Sequence, residues 1–156
     1  MILIGLSGLA WGPTPSLAKI IYVDDDASAD GDGVSWVTAL TDLQQALSGA
    51  ASGDEIRVAE GVYKPNGPND NREASFQLID GLALKGGYAG SGQVNPDDRN
   101  INLYETILSG DLNGDDEPGF INNYENSYHV VTSDRVGPTA VLDGFTITGG
   151  MANGAG

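Results

Sequence analysis

Side-chain oxygens are the chemistry this chain has in excess. The run Asp111, Leu112, Asn113, Gly114, Asp115, Asp116 sets oxygens at alternate positions around an Asn-Gly pair. Alternation on a tight loop turns Asp111, Asn113 and Asp115 to one side. A hard cation such as Ca2+ takes such groups in the first half of an EF-hand or dockerin loop. The match is incomplete, because those loops place Gly sixth and an acid twelfth, where Asp116 and Asn122 stand here. An Asn-Gly turn in a solvated acidic loop is the competing reading. Asp111, Asn113, Asp115 and Asp116 are therefore the candidate metal ligands, with Ca2+ as the candidate cofactor.

A second acidic run, Asp24, Asp25, Asp26, Asp30 and Asp32, places five carboxylates within nine residues. Such charges repel unless water or a cation screens them, so a hydrated loop competes with a second Ca2+ site. Other chemistries are poorly supplied. Cys is absent, which removes thiol nucleophiles, thiolate metal sites and disulfides. His129 is the only His; between Tyr128 and Val130 on a predicted strand it reads as a structural or surface residue, not a base. No GxSxG string marks a serine nucleophile. With 22 acids no carboxylate pair stands out as a glycosidase pair. Of the seven basic residues, Lys85 follows a predicted strand and is expected to guard a strand edge. Trp36, Tyr63, Tyr88, Tyr104, Tyr124 and Tyr128 offer faces for stacking on sugars, against the plainer reading of core plugs and loop anchors.

Composition narrows the partners. Seven Lys and Arg against 22 Asp and Glu give a net charge of −15 in 156 residues, which disfavours nucleic acid and anionic membrane surfaces. Length supports a single domain. Gly supplies 23 residues, about twice the usual share, as turn-rich β structure demands. Residues 1–18 form an apolar stretch too short to span a bilayer, with Pro13 and Pro15 ahead of Ser16, Leu17, Ala18. They have the shape of a signal peptide, although the n-region lacks Lys and Arg. A secreted, extracellular or outer-membrane-surface location is expected, with no transmembrane span in the mature chain.

The elements that must position these groups are short. Ile20 to Val23 is a β-branched and aromatic run stopped by carboxylates. Thr41 to Gln44 fits a capping box, and Leu43, Ala46, Leu47 and Ala50 follow at helical spacing. Predicted strands then cover Glu55 to Ala59, Ser75 to Leu78, Leu82 to Lys85, Thr106 to Ser109, His129 to Thr132, Ala140 to Leu142 and Phe145 to Thr148. Long polar loops lie over 65–72, 90–102 and 111–126. Many short strands without intervening helices argue against a βαβ sheet and leave a sandwich, a barrel or a solenoid of stacked coils.

The strings GDEIRVAEGVY (Gly53 to Tyr63), GLALKGGY (Gly81 to Tyr88), ETILSGDLNGDD, NSYHVVT and VLDGFTITGG resemble the opening of secreted bacterial right-handed parallel β-helices. These belong to the pectin-lyase-like class and carry polymorphic-outer-membrane-protein-like repeats. The resemblance spans Ile20 to Gly150. It implies an all-β solenoid whose N-terminal strand and capping helix occupy 19–52 and whose first coils fill 53–156. The helix would seal the open end of the first coil. MANGAG at 151–156 supplies no second cap, so further coils, or self-association, are expected at that end. The implied role is a non-catalytic capping region of an exported protein that binds glycan or a cell-surface component. A Ca2+-dependent polysaccharide lyase or glycoside hydrolase, with its active site in further coils, is the alternative.

Overall fold

A computed structural model describes residues 17–28, 31–65 and 71–152. The expected signal peptide falls almost entirely outside these residues, as does Asp30. Strands predominate, with one 3-10 turn at Trp36–Thr38 and one short α-helix, α1 (Leu43–Gly49). The strands are β1 (Ile20–Val23), β2 (Glu55–Ala59), β3 (Gly61–Tyr63), β4 (Phe76–Gln77), β5 (Ala83–Tyr88), β6 (Thr106–Ser109), β7 (Val131–Thr132), β8 (Val141–Asp143) and β9 (Thr146–Thr148).

They pair into three sheets, ordered β1-β2-β5-β8, β3-β6-β9 and β4-β7, and every strand pairing is parallel. After β1 the chain visits the sheets in fixed rotation: β2, β3, β4, then β5, β6, β7, then β8 and β9. Ile21, Ile56, Leu84 and Leu142 form one row across the first sheet, although the register of β2 on β5 shifts between Arg57 and Ala59. Tyr63, Leu108 and Ile147 form a row in the second sheet, and Phe76 pairs with Val131 in the third. The inward members of these rows meet in one core that holds Ile56, Val58, Tyr63, Phe76, Leu82, Leu84 and Leu108.

Helix α1 closes the β1 side of this core. Leu43, Ala46 and Leu47 are buried in it. The N-cap is Asp42, whose carboxylate accepts the Gln44 N–H at 2.8 Å. The expected capping box from Thr41 to Gln44 does not form, because Gln44 instead sends its Nε2 to the Ser75 carbonyl at 3.0 Å. Seven residues are too few for a helix to persist alone; burial of its apolar stripe holds it in place.

The bounds of β1, β2 and β6 agree with the periodicity. Strand β3 was not expected. Gly61, at φ 145°, turns the chain from the first sheet into the second, and a Cβ there would run into the Asp25 carboxylate. Strand β5 runs three residues beyond Lys85, because Gly86 lets the chain pass close to the Gly144 carbonyl and the Phe145 ring.

Leu84 is fully buried in the middle of the aliphatic row. Leu84→Ala is expected to cost about 2 to 5 kcal/mol in denaturant unfolding. Val94→Ala, at a side chain 98% exposed, should stay within about 0.5 kcal/mol.

Candidate metal centre

The loop over 111–126 leaves β6 through Gly110 and comes back at Ser127. Its neck is closed by backbone bonds: Ser127 N donates to Gly110 O at 2.8 Å, and Gly110 N donates to Thr148 O of β9 at 2.9 Å. Arg72 Nε holds the returning limb through Asn126 O at 2.7 Å. Residues 14 apart in sequence, Asp111 and Glu125, are thereby brought face to face.

Asp111 organises the outgoing limb. Its Oδ1 accepts the N–H groups of Gly114 (2.5 Å) and Asp115 (3.2 Å), and its Oδ2 accepts that of Asp116 (3.1 Å). Partial burial alone would raise its pKa, but the N–H groups of Asp116, Gly114 and Asp115, with the charge of Lys64, outweigh burial and hold the carboxyl below the usual range. Asp111, Asp115 and Glu125 each offer an oxygen, and the three atoms lie within 4.8 Å of one another. Both Glu125 oxygens are shut off from solvent and accept no hydrogen bond.

Of the four ligands expected from spacing, Asp111 and Asp115 are therefore brought together. Asp116 turns away and accepts Asn126 Nδ2 at 2.8 Å. Asn113 is exposed in the turn. Asn122, where an EF-hand acid would stand, donates its Nδ2 to the Asp115 carbonyl at 3.1 Å. Glu125 lay outside the expected spacing, because the neck closure that delivers it is a backbone contact with no local signature.

The described acids of the second run scatter. Asp24, 4% exposed, accepts the Ser91 N–H at 2.6 Å and the Ser91 hydroxyl at 2.7 Å. Asp25 accepts Val62 N at 3.2 Å. Asp32 accepts the Thr38 hydroxyl at 2.6 Å and Val34 N at 3.1 Å. Donors on separate segments draw these carboxylates apart. Burial raises the Asp25 pKa; the Val62 N–H opposes this, and the charges of Asp26 and Asp24 add to it.

Nor do the aromatics form an open platform. Trp36 packs edge-on against Tyr22 at 4.9 Å and against Tyr88 at 5.7 Å, and Trp36 and Tyr88 are buried. Tyr63 lies in the main core, while Tyr124 stands exposed. Lys85 guards no edge: β5 lies between β2 and β8, and its ammonium pairs with Glu55 at 2.6 Å. His129 is exposed. Among the described residues no helix is long and apolar enough to cross a membrane.

Set against protein-family models, curated proteins and solved structures, the chain matches none of them.

The two shifted carboxyls predict opposite pH effects. Asp111, with its folded pKa lowered, adds stability that is present above its unfolded value of 3.8 and lost as pH falls through the folded one. In chelator, Asp111→Asn should lower the unfolding midpoint at neutral pH and converge on wild type in strong acid. Asp25, with its folded pKa raised, adds stability that is full below 3.8 and lost as pH rises through the folded value. Asp25→Asn keeps an acceptor for Val62 N and mimics the protonated form. It should raise the midpoint at neutral pH and leave it unchanged in acid. Midpoints measured in urea across the pH range check both.

Proposed function

We propose that this chain is the capped end of a right-handed parallel β-helix, and that it serves as a non-catalytic scaffold outside the cell or on its surface, where it binds glycan or another surface component. The observation that carries this reading is the fixed rotation of the strands through three parallel sheets. Right-handed winding is the sense that parallel crossovers almost always take. Two of the strings that resemble the pectin-lyase-like class fall on β2–β3 and on β5, positions one rotation apart.

The two ends of the stack differ, which also supports a capped end. Beside β1 the core is covered by α1. At the far end β8 and β9 are the outer strands of their sheets, and Val141 and Ile147 are 43% and 50% exposed. Such an edge takes another parallel strand, from the same chain or from a second one. The net charge of −15 favours neutral glycans, or acidic ones bridged by a cation, over polyanions alone.

Sedimentation of the chain at about 0.1 mM should reveal reversible self-association through this edge. Val141→Lys combined with Ile147→Lys should return it to a monomer with its unfolding midpoint preserved. A wild-type chain that stays monomeric would overturn the open-edge reading. Incubation with polygalacturonate and Ca2+ tests the absence of catalysis: release of unsaturated uronides, seen as ultraviolet absorbance, would replace the scaffold with a polysaccharide lyase.

A further inference from the structure

We propose that the loop over 111–126 binds one hard divalent cation, Ca2+, through Asp111, Asp115 and Glu125. This does not depend on the scaffold reading, because it follows from the loop's own unmatched acceptors.

Three carboxylates offer oxygens within 4.8 Å of one another. Oxygens that bind the same Ca2+ at about 2.3 to 2.6 Å stand no further apart than about 5.2 Å, so the three are close enough to share one ion after a small adjustment. Acidic neighbours alone would not require an ion, since exposed carboxylates are content in water. Glu125 is different. Both of its oxygens are sealed from solvent and accept nothing, and the carboxylate is aimed at Asp111 and Asp115. Beside it, Asn126 is 2% exposed and its Oδ1 also lacks a donor. On these two consecutive residues, three buried acceptor atoms have no donor to match.

A carboxylate whose oxygens are kept from water and left unpaired is unfavourable, although the residue as a whole is only partly buried. Water would donate to these atoms but would leave their charge in place. Two cations lie beside the loop: Lys64 Nζ donates to the Leu112 carbonyl at 3.3 Å, and Arg72 Nε to the Asn126 carbonyl at 2.7 Å. Against the four carboxylates of Asp111, Asp115, Asp116 and Glu125 they leave an excess of negative charge. A divalent ion satisfies both the charge and the lone pairs. The donor set contains oxygen only, which selects a hard cation over zinc or copper. An irregular loop of carboxylates suits the flexible coordination of Ca2+ better than the strict octahedron of Mg2+.

Calorimetric titration of the full chain, stripped with chelator and then given Ca2+ alone at neutral pH, tests the proposal. One ion per chain is expected, with a Kd between about 10 µM and 1 mM, and the unfolding midpoint should rise with Ca2+ concentration. Glu125→Gln should weaken binding at least about tenfold. In chelator the same variant should unfold at or above the wild-type midpoint, because it removes a buried unpaired charge. Asp115 is exposed, so Asp115→Asn tests the site without endangering the fold and should weaken binding to a similar degree. Failure to bind at about 10 mM Ca2+, undiminished binding in both variants, or a midpoint for Glu125→Gln in chelator below that of wild type would each overturn the proposal.

Discussion

Parallel strands that return to the same sheet in the same register must stack equivalent positions on one another, about 4.8 Å apart. This constraint governs the chain from β1 to β9. Inside, it is favourable: Ile21, Ile56, Leu84 and Leu142 lie in one row, each shielding the next from water. Outside, the same rule is awkward. Arg57 and Lys85 fall side by side in the row that begins at Tyr22 and ends at Asp143. Glu55 resolves the repulsion by accepting Arg57 Nε at 2.7 Å and Lys85 Nζ at 2.6 Å. Its partial burial is outweighed by those two cations, so its pKa is lowered. The guanidinium of Arg57 also lies over the rings of Tyr22 and Tyr88. Half-exposed pairs of this kind contribute little stability; what they secure is the register.

Stacking leaves the connections between strands free to grow. The cost of closing a loop rises only slowly with its length, so long polar segments can leave the stack provided that they are anchored where they return. The segment over 90–102 is held by Trp36 Nε1 donating to Asp97 at 3.0 Å, and by Arg99, which donates to the Gly86 carbonyl at 2.9 Å and pairs with Asp143 at 2.8 Å. The segment over 111–126 is held at its neck by Ser127 and Gly110. In both cases the anchor reaches outside the loop to another segment of the chain.

This division decides what could be read from the residues. Where alternation and a clear stop coincide, as at Ile20 to Val23 and Thr106 to Ser109, the strand bounds agree with the structure. Where glycine marks a corner or a close approach, as at Gly61 and Gly86, periodicity mistakes it for the end of a strand. The candidate site divides in the same way. Asp111 and Asp115 are neighbours through local spacing, which a sequence displays. Glu125 joins them through a neck bond between backbone atoms, which it does not. The acidic run at Asp24 to Asp32 reads as a hydrated loop before a cation site, and Ser91 and Val62, far along the chain, supply donors to Asp24 and Asp25. A carboxylate's role thus depends on donors that come from distant parts of the chain.

The same dependence links the loop to β9. Asp111 follows β6 by two residues, and Gly110 between them donates to Thr148 of β9. β9 is the outer strand of its sheet, and all three of its residues are exposed, so little apolar burial holds it there. The unmatched charge of Glu125 therefore acts beside the least buried strand of its sheet. Neutralising it would firm the loop neck, and through Gly110 the strand to which that neck is bonded. Beside β1 the corresponding closure comes from α1, through the apolar packing of Leu43, Ala46 and Leu47 together with the bond from Gln44 to the Ser75 carbonyl.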